Sequence, residues 1–292
     1  MYEVFMNRYI LCFLAAALCI MQTPASYSQV RQPSDAMTAD ELIRIWYEIE
    51  FTRFAHDYKN YNTFFLIDRA GARRERKAYR SRITVQKNGI DYKDFAVFLA
   101  PASIKGVAML TWTYQDPNRE REQWLYLPSM RKARRSSPAE DDDNTLGTVL
   151  TVEEITSWRP EHERYRLLGK QDFAGYTSIF DNQKYYAGES CYVIEALPNR
   201  SPCIRSKRNF LLRKKDACCL FQEVFDRNGA LYKTIFRKYD LIGEKQYPAI
   251  VLVEAQDLRT QEKTVIRCDT IVFDSGIDEA EFSVDYLQRM KW

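Results

Sequence analysis

From Thr38 the segment "TADELIRIWYEIEFTRFA" places apolar residues at Leu42, Ile45, Trp46 and Ile49, the three-and-four spacing of one helix face. Thr38 and Glu41 form a capping box at its start, so the pattern predicts an amphipathic helix of about five turns. Beyond it the period falls to two, and runs of β-branched and aromatic residues alternate with turn signals. A first series of strands is expected at Asn62–Asp68, Arg73–Gln86, Asp91–Leu99, Val107–Tyr114, Gln123–Leu127 and Arg131–Ser136. A second is expected at Arg164–Phe173, Gly188–Leu197, Lys207–Arg213, Cys218–Asp226, Leu231–Leu241, Ala249–Asp257 and Lys263–Phe273.

Asn88-Gly89 and Asn228-Gly229 supply the positive backbone dihedrals of tight hairpins, and Asp116-Pro117-Asn118 suits a turn. Short connections favour antiparallel neighbours, so the strands read as one meandering sheet. The longest interruption runs from Ser136 to Gly147. After it Thr151 and Glu154 repeat the capping box and open a short helical segment towards Trp158, and a third helical piece is expected at Asp278–Ser283. No composition shift divides residues 38–292, which read as one domain after a linker at 29–37.

The strand faces carry a functional hint. In Val107–Tyr114 the faces differ sharply, with Ala108, Leu110, Trp112 and Tyr114 on one, whereas Phe95, Val97 and Leu99 oppose Ala96 and Phe98, and Trp124 and Tyr126 oppose Leu125 and Leu127, so that both faces there are mostly apolar. A sheet apolar on both faces needs two coverings, yet the sequence offers one good helix and two short ones. A mainly β fold with a strongly curved sheet wrapped around those helices satisfies both demands. Its interior is either a filled core or a cavity for an apolar ligand, with Leu42, Trp46, Phe95, Val97, Leu99, Leu110, Trp112, Trp124 and Tyr126 as the candidate lining.

The first residues change the picture of where the chain works. Arg8, the apolar run Tyr9–Ile20, Pro24 and the small residues Ala25, Ser26 and Ser28 have the parts of a signal peptide cleaved near Ser28. The apolar run, about 12 residues, is too short to span a bilayer. A start at Met6 would remove the acidic Glu3 from the front. Cys19 follows Leu18 rather than a small residue, which argues against lipidation, so an exported protein is expected. Cys191, Cys203, Cys218, Cys219 and Cys268 then remain, open to disulfides, packed thiols or metal binding.

A net charge of +3 across 292 residues implies neither a nucleic-acid binder nor an acidic tail. The only two histidines, His56 and His162, lack the partners of a metal or catalytic motif and are expected at the surface. No Gly-x-Ser-x-Gly elbow or phosphate-cradling glycine loop occurs, so no catalytic residue, metal or cofactor is assigned. In "ARRERKAYRSR" alternation puts Arg74, Arg76, Arg80 and Arg82 on one face, and neither face is expected to be deep core. A second basic group contains Arg131, Lys132, Arg134 and Arg135. Both groups read as solvated faces, or as contacts for an anionic head group or a partner through Arg74, Arg76, Arg131, Arg134 and Arg135.

The blocks "FFLIDRAGARRERKAYRSR", "DFAVFLAPASIKGVAMLTW", "EQWLYLPSMRKARR" and "LGTVLTVEEI" resemble, in order, those of the LolA-like outer-membrane lipoprotein-sorting proteins. "CYVIEALP", "FDRNGALYKTIFRKYD" and "DLRTQEKTVIRCDTIVFDSGIDEAEFSVDYL" continue the resemblance towards the C-terminus. It implies an open antiparallel β half-barrel with an amphipathic N-terminal helix and short helices over its concave face. It also implies a monomeric periplasmic carrier of lipoprotein or lipid acyl chains, with an RND- or MMPL-type exporter as a partner and no nucleic acid. The alternative role is a non-carrier accessory that docks on such an exporter. The chain departs from the family pattern at Val149 and Leu150, where many relatives carry acidic and aromatic residues.

Overall fold

The computed structural model describes residues 31–136, 144–199 and 203–290. The expected signal peptide, its cleavage near Ser28 and the possible start at Met6 lie outside them. The first helix, α1 (Ala39–Glu50), begins at the expected capping box: Thr38 Oγ1 accepts the Glu41 amide at 3.2 Å and the Glu41 carboxylate accepts the Thr38 amide at 2.9 Å. It is shorter than its periodicity predicts. The chain turns out of the helix at Phe51, whose carbonyl accepts from buried Arg82 at 2.8 Å, and Thr52 then takes a positive φ.

The strands are β1 (Asp57–Ile67), β2 (Arg73–Lys87), β3 (Ile90–Ala100), β4 (Ala108–Tyr114), β5 (Glu122–Leu127), β6 (Lys132–Ser136) and β7 (Glu163–Asp172). After the two-residue pair β8 (Tyr176–Thr177) and β9 (Lys184–Tyr185) come β10 (Ser190–Pro198), β11 (Arg205–Arg213) and β12 (Cys219–Asp226). The series ends with β13 (Leu231–Ile242), β14 (Tyr247–Asp257) and β15 (Lys263–Phe273), then α2 (Val284–Arg289). All but β8 and β9 form one antiparallel sheet in the order β6-β5-β4-β3-β2-β1-β15-β14-β13-β12-β11-β10-β7. The first and last strands thus meet in the middle, while β6 and β7 are open edges, so the sheet is not closed.

Turn chemistry explains the meander. Asn88 and Gly89 both have positive φ and join β2 to β3 through a two-residue turn, whereas at the β12–β13 turn Gly229 supplies the positive φ and Asn228 does not. The chain then passes from edge β6 to edge β7. Residues 144–162 make this passage across one face of the sheet, where Val149 and Leu150 pack on Ile235, Ala255 and Ile266. The second capping box is present between Thr151 and Glu154, but it opens a single π-helical turn, Glu153–Ser157.

Alternation fixes the two faces. On one, α1 buries Leu42, Ile43 and Trp46 against Tyr192, Ile194, Phe210 and Leu212. On the other, a C-terminal segment made of the 3₁₀ turn Glu279–Phe282 and α2 packs Phe282 and Leu287 against Phe95, Leu110 and Ile83. The sequence predicts the first of these pieces and not α2. The five cysteines resolve as free thiols, Cys268 partly exposed and the others buried. His56 and His162 are half-buried, not exposed: His56 Nδ1 lies 3.4 Å from Asp57 Oδ2.

Candidate functional site

A cavity of about 240 Å³ lies between the α1 face of the sheet and its covers. Its walls include Phe64 on β1, Ala96 and Phe98 on β3, Met109 on β4, Leu125 on β5, Val253 on β14 and Ile266 on β15. The roof comes from the end of α1, at Ile49 and Glu50, and from the crossing segment, at Leu150 and Ile155. The departure from the family pattern at Val149 and Leu150 therefore has a place: both are buried, and Leu150 borders the cavity.

The roof is tied to the sheet by buried charges. Glu50 holds Arg237 at 3.2 Å and also accepts from the Trp46 indole at 3.2 Å. Glu154 holds Lys233 at 2.9 Å. Beside Glu154, Glu153 meets Arg205 at 2.5 Å, and the same Arg205 reaches Glu163, the first residue of β7, at 3.2 Å, where Glu163 also accepts from Arg208 at 2.9 and 2.7 Å. Burial would raise the Glu163 pKa, but Arg208 and Arg205 outweigh it and draw the carboxyl down to about 2. For Glu154, burial is likewise outweighed, chiefly by Lys233, and its pKa is lowered. Cover and sheet therefore join by charge-assisted bonds as well as by packing.

A charged group also stands in the cavity wall. Arg82 is fully buried and grips Asp94 with two bonds, at 3.0 and 2.6 Å, while Arg80 meets the same carboxylate at 3.2 and 3.1 Å. This corrects the expectation that the arginine-rich strand keeps out of the core: Asp94, directly opposite Arg82 on β3, supplies the counter-charge that lets Arg82 be buried. Burial pushes the Asp94 pKa up, and the two guanidinium groups outweigh it, leaving the carboxylate below its usual range.

The structure divides the nine residues read as candidate lining. Val97 borders the cavity, although its side chain packs in the cluster under the C-terminal segment. Phe95, Leu99, Leu110, Trp112, Trp124 and Tyr126 belong to that same cluster, on the face away from the cavity. Leu42 and Trp46 lie on the cavity side but pack against β10 and β11. The cavity is instead lined by the alternate positions Ala96, Phe98, Met109 and Leu125. Apolar residues on both sides of β3 and β5 gave no amphipathic contrast. The usable signal was Asp94, which shares the parity of Ala96 and Phe98 and faces the arginines of β2.

The basic residues divide too. Arg74 and Arg76 lie opposite Leu66 and Phe64, and Arg134 opposite Leu125, which puts all three on the cavity face. Arg135 lies opposite Trp124 on the other face and meets Glu122 at 3.4 Å. Arg131 occupies the β5–β6 turn, exposed and with positive φ. Among the described residues no group of three His, Cys, Asp or Glu side chains has a metal-binding arrangement, and no helix is long and apolar enough to cross a membrane.

A family model described only as "-like: Uncharacterized protein" matches residues 91–289, about two-thirds of the chain. The chain belongs to this family. Among solved structures, a putative outer membrane lipoprotein-sorting protein domain from Vibrio parahaemolyticus is 22% identical with a TM-score of 0.70. The match covers 86% of this chain and 98% of that one. A DUF1329 family protein from Desulfovibrio piger is 21% identical with a TM-score of 0.71, over 88% of this chain and all of that one. A LolA superfamily protein from Nitrosomonas europaea is 18% identical with a TM-score of 0.59, over 86% of this chain and 100% of the other. No curated protein matches the chain. At these identities the likeness establishes the shared LolA-like fold: mainly β, with one large open antiparallel sheet.

Proposed function

We propose that residues 38–292 form one periplasmic carrier domain that holds acyl chains of lipids or lipoproteins in the cavity beneath α1 and the crossing segment, and that it is not an enzyme. The observation that carries this reading is the apolar cavity between the sheet and a separately tethered roof. At about 240 Å³ it falls just under the roughly 300–1,000 Å³ typical of small-molecule sites, a size suited to one chain with the roof closed. Each buried CH₂ is worth about 0.8 kcal/mol, so a 16-carbon chain gains about 13 kcal/mol before costs. Release then requires a movable cover, and α1 is that lid. Its end, at Ile49, borders the cavity and competes there with the cargo.

Arg74 and Arg134, exposed on the cavity face, form a basic rim that meets an anionic membrane or partner surface, with an RND- or MMPL-type exporter as the partner in view. Native mass spectrometry of the protein purified from its own host tests the carrier reading. A co-purified lipid, replaceable by a fluorescent fatty acid, is the expected result. An empty protein that binds no fatty acid would overturn it in favour of a non-carrier accessory role.

A further inference from the structure

The other cations whose carboxylate partners line the cavity each have their own anion. Arg237 has Glu50 and Lys233 has Glu154, at 3.2 and 2.9 Å. Arg80 and Arg82 share one, Asp94, so two guanidinium groups stand against a single carboxylate. Arg82 spends its remaining Nη1 on the Phe51 carbonyl at 2.8 Å and is only 2% exposed. Arg80 is 22% exposed and borders the cavity, and among the described residues its Nη1 has no acceptor. Its other neighbours do not balance the charge. Burial pushes the Cys268 thiol up to about 12 and raises the Tyr58 phenol, so both are neutral, and Asn60 and Asn62 bond to each other at 3.2 and 3.1 Å.

Arg80 therefore shares its carboxylate with Arg82 and turns a free guanidinium edge to a largely apolar cavity, where an arriving anion gives it a partner of its own. The open edge of a guanidinium suits a planar carboxylate. Arg80 lies four residues along β2 from Arg76, about 13 Å deeper on the same face.

We propose that Arg80 anchors the carboxylate of a free, single-chain fatty acid bound head-inward, with its hydrocarbon along Phe64, Phe98, Met109 and Leu125. This rests on the carrier reading and narrows its substrate class. The acyl chains of a lipoprotein end in methyl groups and bring no anion to that depth, whereas a free acid does.

Displacement of the neutral dye 1-aminoanthracene from the full-length chain, by dodecanoate and by dodecanol, separates the possibilities. The wild type should prefer dodecanoate by about tenfold or more, the scale of one charge-assisted bond in a shielded site. Arg80→Gln should erase that preference by weakening dodecanoate, while Lys77→Gln, exposed on the other face of β2, should retain it. Equal binding of acid and alcohol by the wild type overturns the anchor and leaves the carrier reading standing, whether or not the variant folds. An acid preference that survives in Arg80→Gln also overturns the anchor. Failure of both compounds to bind overturns the carrier reading with it.

Discussion

The two faces of the β1–β6 half of the sheet are covered in different ways. Under the C-terminal segment, Phe95, Leu110, Trp112, Trp124 and Phe282 fill the space, and the Trp112 indole donates to the Phe282 carbonyl at 3.0 Å. On the opposite face the strands present Ala78, Ala96, Thr111 and Asn62, small or polar side chains that leave room, and the cover is held by ion pairs at its margins. Close packing gives one face a fixed structure because each lost contact leaves a void. Ion pairs around a cavity hold a cover in place without filling what lies beneath it.

The contrast can be broken most severely at the filled face. Phe282→Ala should destabilise the fold by about 3–5 kcal/mol by opening a cavity there, read from the midpoint of urea unfolding. If the faces are independent, fatty-acid affinity of the folded fraction stays unchanged.

The buried ionic network that ties the cover's Glu153 through Arg205 to Glu163 of β7 should appear as acid sensitivity. The pKa of Glu163 is depressed in the folded chain, so its contribution is complete above its ordinary value of 4.5 and vanishes as pH falls through about 2. The loss amounts to about 3 kcal/mol over that window. Glu163→Gln should remove this part of the pH dependence, measured as unfolding free energy from pH 6 to pH 2. An unchanged profile would show that the arginines do not hold this carboxylate charged.

Filling the open face should cost less and do more to function. Ala96→Phe places a ring in the cavity, with an expected stability change of about 1–3 kcal/mol at most and loss of dye and fatty-acid binding. Retained binding would place the ligand elsewhere. Smallest of all, Arg74→Glu with Arg134→Glu should alter stability by no more than about 0.5 kcal/mol. The same change should weaken sedimentation with vesicles containing anionic lipid, an effect that fades as salt rises.

The strand pattern was legible because each segment carried its own period and turn. Lys263–Phe273 has the expected bounds, and Asn88-Gly89 makes the expected hairpin. Local signals failed where a distant partner decides the outcome. Strand β1 starts at Asp57, not Asn62, because the polar stretch Asp57–Asn60 pairs with β2, and Asp57 accepts from the Ser275 and Gly276 amides at 2.9 and 3.0 Å. Likewise α1 stops early at a carbonyl claimed by an arginine remote in sequence. The candidate site was half legible: a curved sheet with an interior followed from the pattern, but its inner face was decided by Asp94 and the arginines, not by the aromatics.

The meeting of β1 and β15 at the centre of the sheet bears on the order of assembly. Tyr58 pairs with Phe273, about 200 residues away, whereas β1 to β6 and β10 to β15 each pair with near neighbours in sequence. Each half can therefore zip up as it emerges, and the seam between them must wait for the last strand. A chain halted before Lys263 would leave β1 and β14 as raw sheet edges, ready to pair with other chains.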